Sequence, residues 1–160
     1  MNKSILITGS SQRIGRELCL YFASKGWNIA IHFNKSKKKA IALKNEIQKY
    51  GVKCFCLQAN LLNSKKIKKI IIDTKKELGN IDCIINNASI FDNDDILNFN
   101  EKNWNNHIKI NLLAPAILIK EFSGIIFIYL FVTNLVPPPP PPVFLTPFIL
   151  LFPPPPSLFF

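Results

Sequence analysis

Apolar residues in the first three quarters of the chain keep to two rhythms. Short continuous runs (Ser4–Thr8, Trp27–Phe33, Val52–Leu57 and Ile81–Asn86) alternate with longer stretches in which apolar residues recur every three or four positions. The short runs predict strands covered on both faces, and the longer stretches predict amphipathic helices. Arg13–Lys25 carries Ile14, Leu18, Tyr21 and Phe22 at helical spacing. Ser36–Tyr50 has Ala40, Leu43 and Ile47 on one stripe, and Ser64–Leu78 turns Ile67, Ile70, Ile71 and Leu78 inward. Gly26, Gly51 and Gly79 stand where these helices should stop, and Ser64 is placed to cap the third. A polar stretch from Ser89 to Asn100 leads to a longer helix over Asn103–Lys120, which Pro115 should bend or break. Strands alternating with helices through short connections imply parallel strands and right-handed crossovers. The expected class is α/β, the N-terminal part of a doubly wound parallel sheet.

That pattern ends abruptly. Lys120 and Glu121 are the last charged residues, Phe122–Val136 is uncharged and mostly apolar, and the proline runs Pro137–Pro142 and Pro153–Pro156 flank "VFLTPFILLF". Proline runs adopt polyproline II and cannot join a helix or a central strand. Three readings compete for this tail. A membrane anchor would have about fifteen residues against the roughly twenty needed to span. A fifth strand would use Gly124–Ile128, where the next parallel strand is due. A frameshift or misassembly would make the tail non-native. The chain is accordingly divided into residues 1–122, an incomplete nucleotide-binding domain, and residues 123–160, an aberrant apolar, proline-rich tail expected to be disordered or non-native.

Length and charge narrow the class. A chain of 160 residues holds at most one domain, or one domain and an appendage. The net charge of +10 comes almost wholly from lysines that are scattered, apart from Lys35–Lys39. They read as solvated faces; no aromatic-rich basic stripe or zinc spacing supports a nucleic-acid partner. Cys19, Cys54, Cys56 and Cys83 form no C-x-x-C pair, so they are expected to be buried reduced thiols in a cytoplasmic protein. The opening "MNKSILITG" meets a turn at once, so it reads as a first strand and not as a secretory signal.

The chemistry concentrates in "TGSSQRIG", Thr8–Gly15. Gly9 permits a tight turn, and Gly15 lets the following helix pack close to the sheet. The exposed amides of the turn and the helix start then form an anion site suited to a pyrophosphate. Enzymes that prefer NAD place an acid at the end of the second strand to accept from the ribose hydroxyls. Here that place holds His32, Phe33 and Asn34. Arg13, Lys35 and Ser36 instead offer two cations and a hydroxyl to a 2′-phosphate, which favours NADPH. His32 is expected near the cofactor phosphate and His107 on a helix face, neither with a partner acid. Asp92, Asp94 and Asp95 read as a solvated loop, and no metal site is expected.

These residues resemble a family. "TGSSQRIG" is similar to the T-G-x-x-x-G-x-G turn of the short-chain dehydrogenases/reductases. "NNAS" at Asn86–Ser89 resembles their N-N-A-G, "INLLAPAIL" at Ile110–Leu118 their asparagine-bearing helix, and "QANLLN" at Gln58–Asn63 the segment bordering the adenine. The resemblance covers about residues 3–122. Arg13 in place of the middle glycine, together with "IHFNKS" at Ile31–Ser36, resembles the pteridine reductase branch, which includes dihydrofolate and dihydromonapterin reductases. The resemblance implies a Rossmann-type fold that binds NADPH. It assigns Gly9, Ser10, Ser11, Arg13, Ile14 and Gly15 to the turn, and Asn34, Lys35 and Ser36 to the end of the second strand. Asn60 and Leu61 fall beside the adenine, although the family usually has Asp where Asn60 stands. Asn86 and Ala88 border the ribose, and Asn87 braces neighbouring strands.

Asn111 is implied as the catalytic asparagine that bends its helix and holds water. The helix that bears it is implied in a homo-oligomer interface; Trp104, read by itself, is expected to anchor a helix–helix contact. The family's Tyr-x-x-x-Lys is missing from this sequence. The one tyrosine after Asn111 is Tyr129, which "LFVT" follows; no lysine follows Lys120, and Ser123 precedes the expected fifth strand. The expectation is an NADPH-dependent oxidoreductase for a small molecule, a pterin or similar carbonyl or imine, altered before its proton relay and so without turnover. A 3-oxoacyl carrier-protein reductase and a non-catalytic dinucleotide-binding or interaction protein are the alternatives, and membrane attachment rests on the apolar tail alone.

Overall fold

The computed structural model describes residues 2–92, 96–132, 143–146 and 149–150; for residues 96, 124–132, 143–146 and 149–150 it describes the backbone alone. Strand β1 (Ser4–Ile7) lies between β2 (Asn28–Phe33) and β4 (Cys83–Ile85), parallel to both, and β3 (Cys54–Gln58) extends the sheet beyond β2. Helices α1 (Arg13–Ser24), α2 (Lys37–Gln48) and α3 (Ser64–Leu78) connect successive strands. The order β3-β2-β1-β4 continues into β5 (Val143–Thr146), parallel to β4, and β6 (Ile149–Leu150), antiparallel to β5.

Side-chain alternation along the strands divides the core into two layers. Ile5 and Ile7 of β1 and Ile29 and Ile31 of β2 pack with Cys19 and Ala23 of α1 and Ala40, Leu43 and Ile47 of α2. Leu6, Ala30 and Ile84 face the other way, onto Ile67, Ile70 and Ile71 of α3 and onto Ala114, Leu118 and Phe122. Both faces are therefore covered, which is why the strands carry no alternating polar residues. The thiols follow the same logic. Cys19 and Cys83 are buried, and desolvation pushes each up to about 12. They are neutral, unreactive members of the core.

Three local expectations need correction. Asn63, not Ser64, caps α3: Ser64 is already the first helical residue, and the Asn63 side chain just before it accepts from the N–H groups of Lys65 and Lys66 at 3.1 and 3.2 Å. The helix expected over Asn103–Lys120 starts earlier and is divided. Helix α4 (Glu101–Ile108), capped by Asn100, passes into a π-helical turn (Lys109–Leu113) and then into α5 (Ala114–Val132). Pro115 has no N–H for the carbonyl of Asn111, so the ladder loosens just before it, and Ala114 N–H reaches back five residues to Lys109. Gly124–Ile128 continues α5 and forms no strand; the helix runs on through Ser123 and Gly124, and the strand beside β4 is Val143–Thr146. The two proline runs lie outside the described residues. Among the described residues no helix is long and apolar enough to cross a membrane.

Candidate functional site

The turn after β1 is held from two sides. From β4, Thr8 N–H donates to Ile85 O, and Thr8 Oγ1 accepts from the N–H groups of Asn87 and Ala88, each at 3.0 Å. The Asn87 amide reaches back and donates to the carbonyls of Thr8 (2.9 Å) and Gly9 (3.2 Å). From β2, Ser10 N–H donates to His32 O at 3.0 Å and Gly9 N–H to His32 Nδ1 at 3.1 Å. The glycines have steric reasons to be there. Gly9 has φ +62°, and a Cβ on it would lie 2.8 Å from Ala88 Cα; a Cβ on Gly15 would meet Asn87 Nδ2 at 2.6 Å. The turn is thus pressed against the end of β4 as closely as backbone permits.

Arg13 is the one non-glycine residue with positive φ among the described residues, at +54°. It takes a left-handed backbone conformation that glycine adopts freely, despite its Cβ, at a cost of about 1–2 kcal/mol. Gln12 gives α1 no side-chain cap, and the first bond of that helix is Arg16 N–H to Gln12 O, so the amides of Arg13, Ile14 and Gly15 precede the ladder. Ser36 likewise supplies no side-chain cap to α2, whose first turn has no acid. Lys39 Nζ donates to Gln12 Oε1 at 2.6 Å, linking the two helix starts.

Between these helix starts lies a cleft of about 530 Å³ at the carboxyl edge of the sheet. Gly9, Ser11, Arg13 and Ile14 line it from the turn, Asn34, Lys35 and Ser36 from the end of β2, and Leu61 and Ala88 from the ends of β3 and β4. Among the described residues no carboxylate lines it, and Arg13 and Lys35 are the cations that do. Four expected site residues stand outside this lining. Ser10 and Gly15 are buried in the support of the turn, Asn60 turns its side chain to Leu62 N–H, and Asn86 is buried at the end of β4. A nucleotide fits what is here: uncapped helix starts for a pyrophosphate, two cations and a hydroxyl for a further phosphate, and apolar Ile14, Leu61 and Ala88 for the flat ring systems.

Asn111 lies in the π-helical turn, and its side chain pairs with the backbone of Ile90: Oδ1 accepts from Ile90 N–H and Nδ2 donates to Ile90 O, both at 3.0 Å. Ile90 and Ile110 also line the cleft. The asparagine therefore anchors the irregular segment that follows "NNAS", where Ile90 meets the cleft. His107 makes the adjacent tie, its Nδ1–H to Asn103 O at 2.9 Å and its Nε2 accepting from Asp92 N–H at 3.0 Å. Asp94 and Asp95 lie outside the described residues. Among the described residues no three ligating side chains gather as a metal site would require.

His32 lies at the floor of the cleft, and sequence reasoning missed its partners. It is buried and engaged at both ring nitrogens, with Nε2 at 3.1 Å from Ala59 O as well as Nδ1 at Gly9. Burial lowers its pKa to about 4, the Ala59 carbonyl opposing in part, so the ring is neutral with its proton on Nε2. The signal was available: a histidine inside an otherwise apolar run must find partners when buried.

Comparison with known proteins agrees with this geometry. The family model described as short chain dehydrogenase matches residues 3–126. A 3-oxoacyl-(acyl-carrier-protein) reductase of Staphylococcus epidermidis is 38% identical over 112 residues, 70% of this chain and 46% of that protein. The crystal structure of alternative dihydrofolate reductase 1 (FolM) from Brucella suis, in complex with NADP, superposes with a TM-score of 0.72 at 29% identity, covering 76% of this chain and 50% of that one. A short-chain dehydrogenase/reductase from Serratia marcescens, 20% identical with a TM-score of 0.74, shares the fold. The chain spans about half the length of these relatives.

Proposed function

The chain belongs to the short-chain dehydrogenase family, and on that premise we propose that its cleft binds NADPH and that the parent activity is reduction of a pterin or a similar carbonyl or imine. The observation that carries the reading is the carboxylate-free end of β2, where Lys35 and Ser36 line the same cleft as Arg13. An acid there would repel a 2′-phosphate; two cations and a hydroxyl attract it. The FolM structure, itself in complex with NADP, supports the same choice.

Bound NADPH would supply a hydride; the residues of this chain bind and orient. The uncapped amides at the start of α1 would take the pyrophosphate, and Arg13, Lys35 and Ser36 the 2′-phosphate. Gly9 and Ala88 would admit the ribose at the close approach of turn and strand, and Leu61 would border the adenine with Asn60 behind it. Asn111 would hold the Ile90 segment beneath the nicotinamide end. The sequence carries no Tyr-x-x-x-Lys after Asn111, so the proton that must accompany the hydride has no donor of the family type among its residues.

Two other readings have specific support. The 38% identity to a 3-oxoacyl-(acyl-carrier-protein) reductase favours a carrier-protein substrate, whereas Arg13 and Lys35–Ser36 favour the pterin branch. The missing tyrosine and lysine favour a dinucleotide-binding protein without turnover. The Asn111 helix, which exposes Trp104, Leu112 and Leu113, is the proposed homo-oligomer face. The site and its tail are tested together. Fluorescence titration should show NADPH binding at least tenfold more tightly than NADH, and equal affinities would remove the 2′-phosphate assignment. Resequencing the coding DNA from the Asn111 codon onward should reveal a frame change near Phe122 with Tyr-x-x-x-Lys in the restored frame. An unchanged sequence would favour the non-catalytic reading.

A further inference from the structure

Two consecutive amides of the turn, Gly9 N–H and Ser10 N–H, end on the same residue: the first on the His32 ring, the second on the His32 carbonyl. The opposite edge of the ring donates to Ala59 O, just beyond β3. One side chain in the central strand β2 therefore links the carboxyl ends of β1, β2 and β3, directly beneath the cleft it helps to line. A ring that accepts at Nδ1 and donates at Nε2 imposes a direction on the Gly9 peptide plane that an apolar residue of equal volume could not.

We propose that His32 is a positioning residue for nucleotide binding: by accepting from Gly9 N–H it fixes the peptide orientation of the turn, so that the amides at the start of α1 face the phosphates. This rests on the reading of the cleft as a dinucleotide site. His32 touches no phosphate itself, because both ring nitrogens are occupied within the protein. Its effect on affinity is therefore indifferent to the 2′-phosphate, unlike that of Arg13. The acceptor at the Nδ1 position carries the function; the Nε2 contact to Ala59 orients the ring.

The test separates the two ring nitrogens. In His32→Asn the amide oxygen can occupy the Nδ1 position; in His32→Gln the amide reaches the Nε2 position and leaves Gly9 without its acceptor. The full-length Asn variant should bind NADPH and NADH within about threefold of wild type. The Gln variant should lose about tenfold for both, roughly the worth of one oriented hydrogen bond. Exchange of the Gly9 amide with solvent, measured by NMR on the free protein, should accelerate in Gln and not in Asn. Equal behaviour of the two variants, or a loss confined to NADPH, would overturn the proposal. Should either variant fail to fold, a scalar coupling across the Gly9 N–H···Nδ1 bond in the wild type decides: its presence supports the clamp, and its absence with the proton on Nδ1 overturns it. A wild type that keeps the coupling but binds neither nucleotide would instead reject the dinucleotide reading and the role in binding with it, leaving the clamp as architecture.

Discussion

Replacing Arg13 by glycine sets two effects of opposite sign against each other, and each can be measured alone. The backbone there has φ +54°, so an L residue costs about 1–2 kcal/mol that glycine does not. Glycine also loosens the unfolded chain, which costs roughly 0.5–1 kcal/mol. The net change in stability of Arg13→Gly is thus between about zero and 1.5 kcal/mol in favour of the variant. Arg13→Ala keeps the strained conformation and should fall about 1 kcal/mol below Arg13→Gly. Binding behaves differently. On the proposed placement of the guanidinium, both variants lose a charge-assisted contact to the 2′-phosphate, about 1.5–3 kcal/mol, which should weaken NADPH by roughly 10- to 150-fold and leave NADH within about twofold. Urea denaturation at constant m gives the first quantity, and fluorescence titration with each nucleotide the second. Equal losses for NADPH and NADH would refute the placement of the guanidinium. Equal stabilities of the Gly and Ala variants would refute the strained turn.

Three further outcomes follow from the same geometry. Stability should fall with acid through His32: the folded pKa, near 4, lies below the unfolded value of about 6.5, so the unfolded chain binds more protons between them. Its contribution, about 3 kcal/mol, is complete above pH 6.5 and lost as pH drops towards 4; urea midpoints of wild type and His32→Asn should converge across that window, and parallel curves would count against a buried neutral ring. Gly9→Ala combines φ +62° with a Cβ 2.8 Å from the Ala88 backbone, so it should cost about 2–4 kcal/mol; a wild-type melting temperature would contradict the close approach. Asn87→Ala removes donors from the carbonyls of Thr8 and Gly9 and should lower stability by about 1–3 kcal/mol while weakening both nucleotides alike; a loss for one nucleotide alone would mean that Asn87 touches the cofactor and does not merely brace the strands.

Much of the molecule was legible in one dimension because its determinants are local. Continuous apolar runs can only be strands covered on both faces, stripes at three and four can only be helices lying on them, and short connections make the strands parallel. The glycines of "TGSSQRIG" and the absence of an acid after β2 are likewise chain-local facts, and they located the cleft and its charge before any contact was known. Tertiary structure decided whatever depends on partners distant in the chain. His32 lines the cleft but looks like a free ligand group until Gly9 and Ala59, 23 and 27 residues away, take both of its nitrogens. Asn87 needs Thr8 and Gly9, nearly eighty residues earlier, to become a brace. Arg13 shows its strain only as a backbone angle, which no residue identity encodes. Periodicity saw one helix from Asn103 to Lys120, because three- and four-residue spacing survives a π turn; the break needed the proline's missing donor and the pairing of Asn111 with Ile90 to appear. Pattern fixes which face of an element is buried, whereas the partner of each polar atom is settled when the elements meet, because a buried donor or acceptor must then find its match in whatever lies beside it.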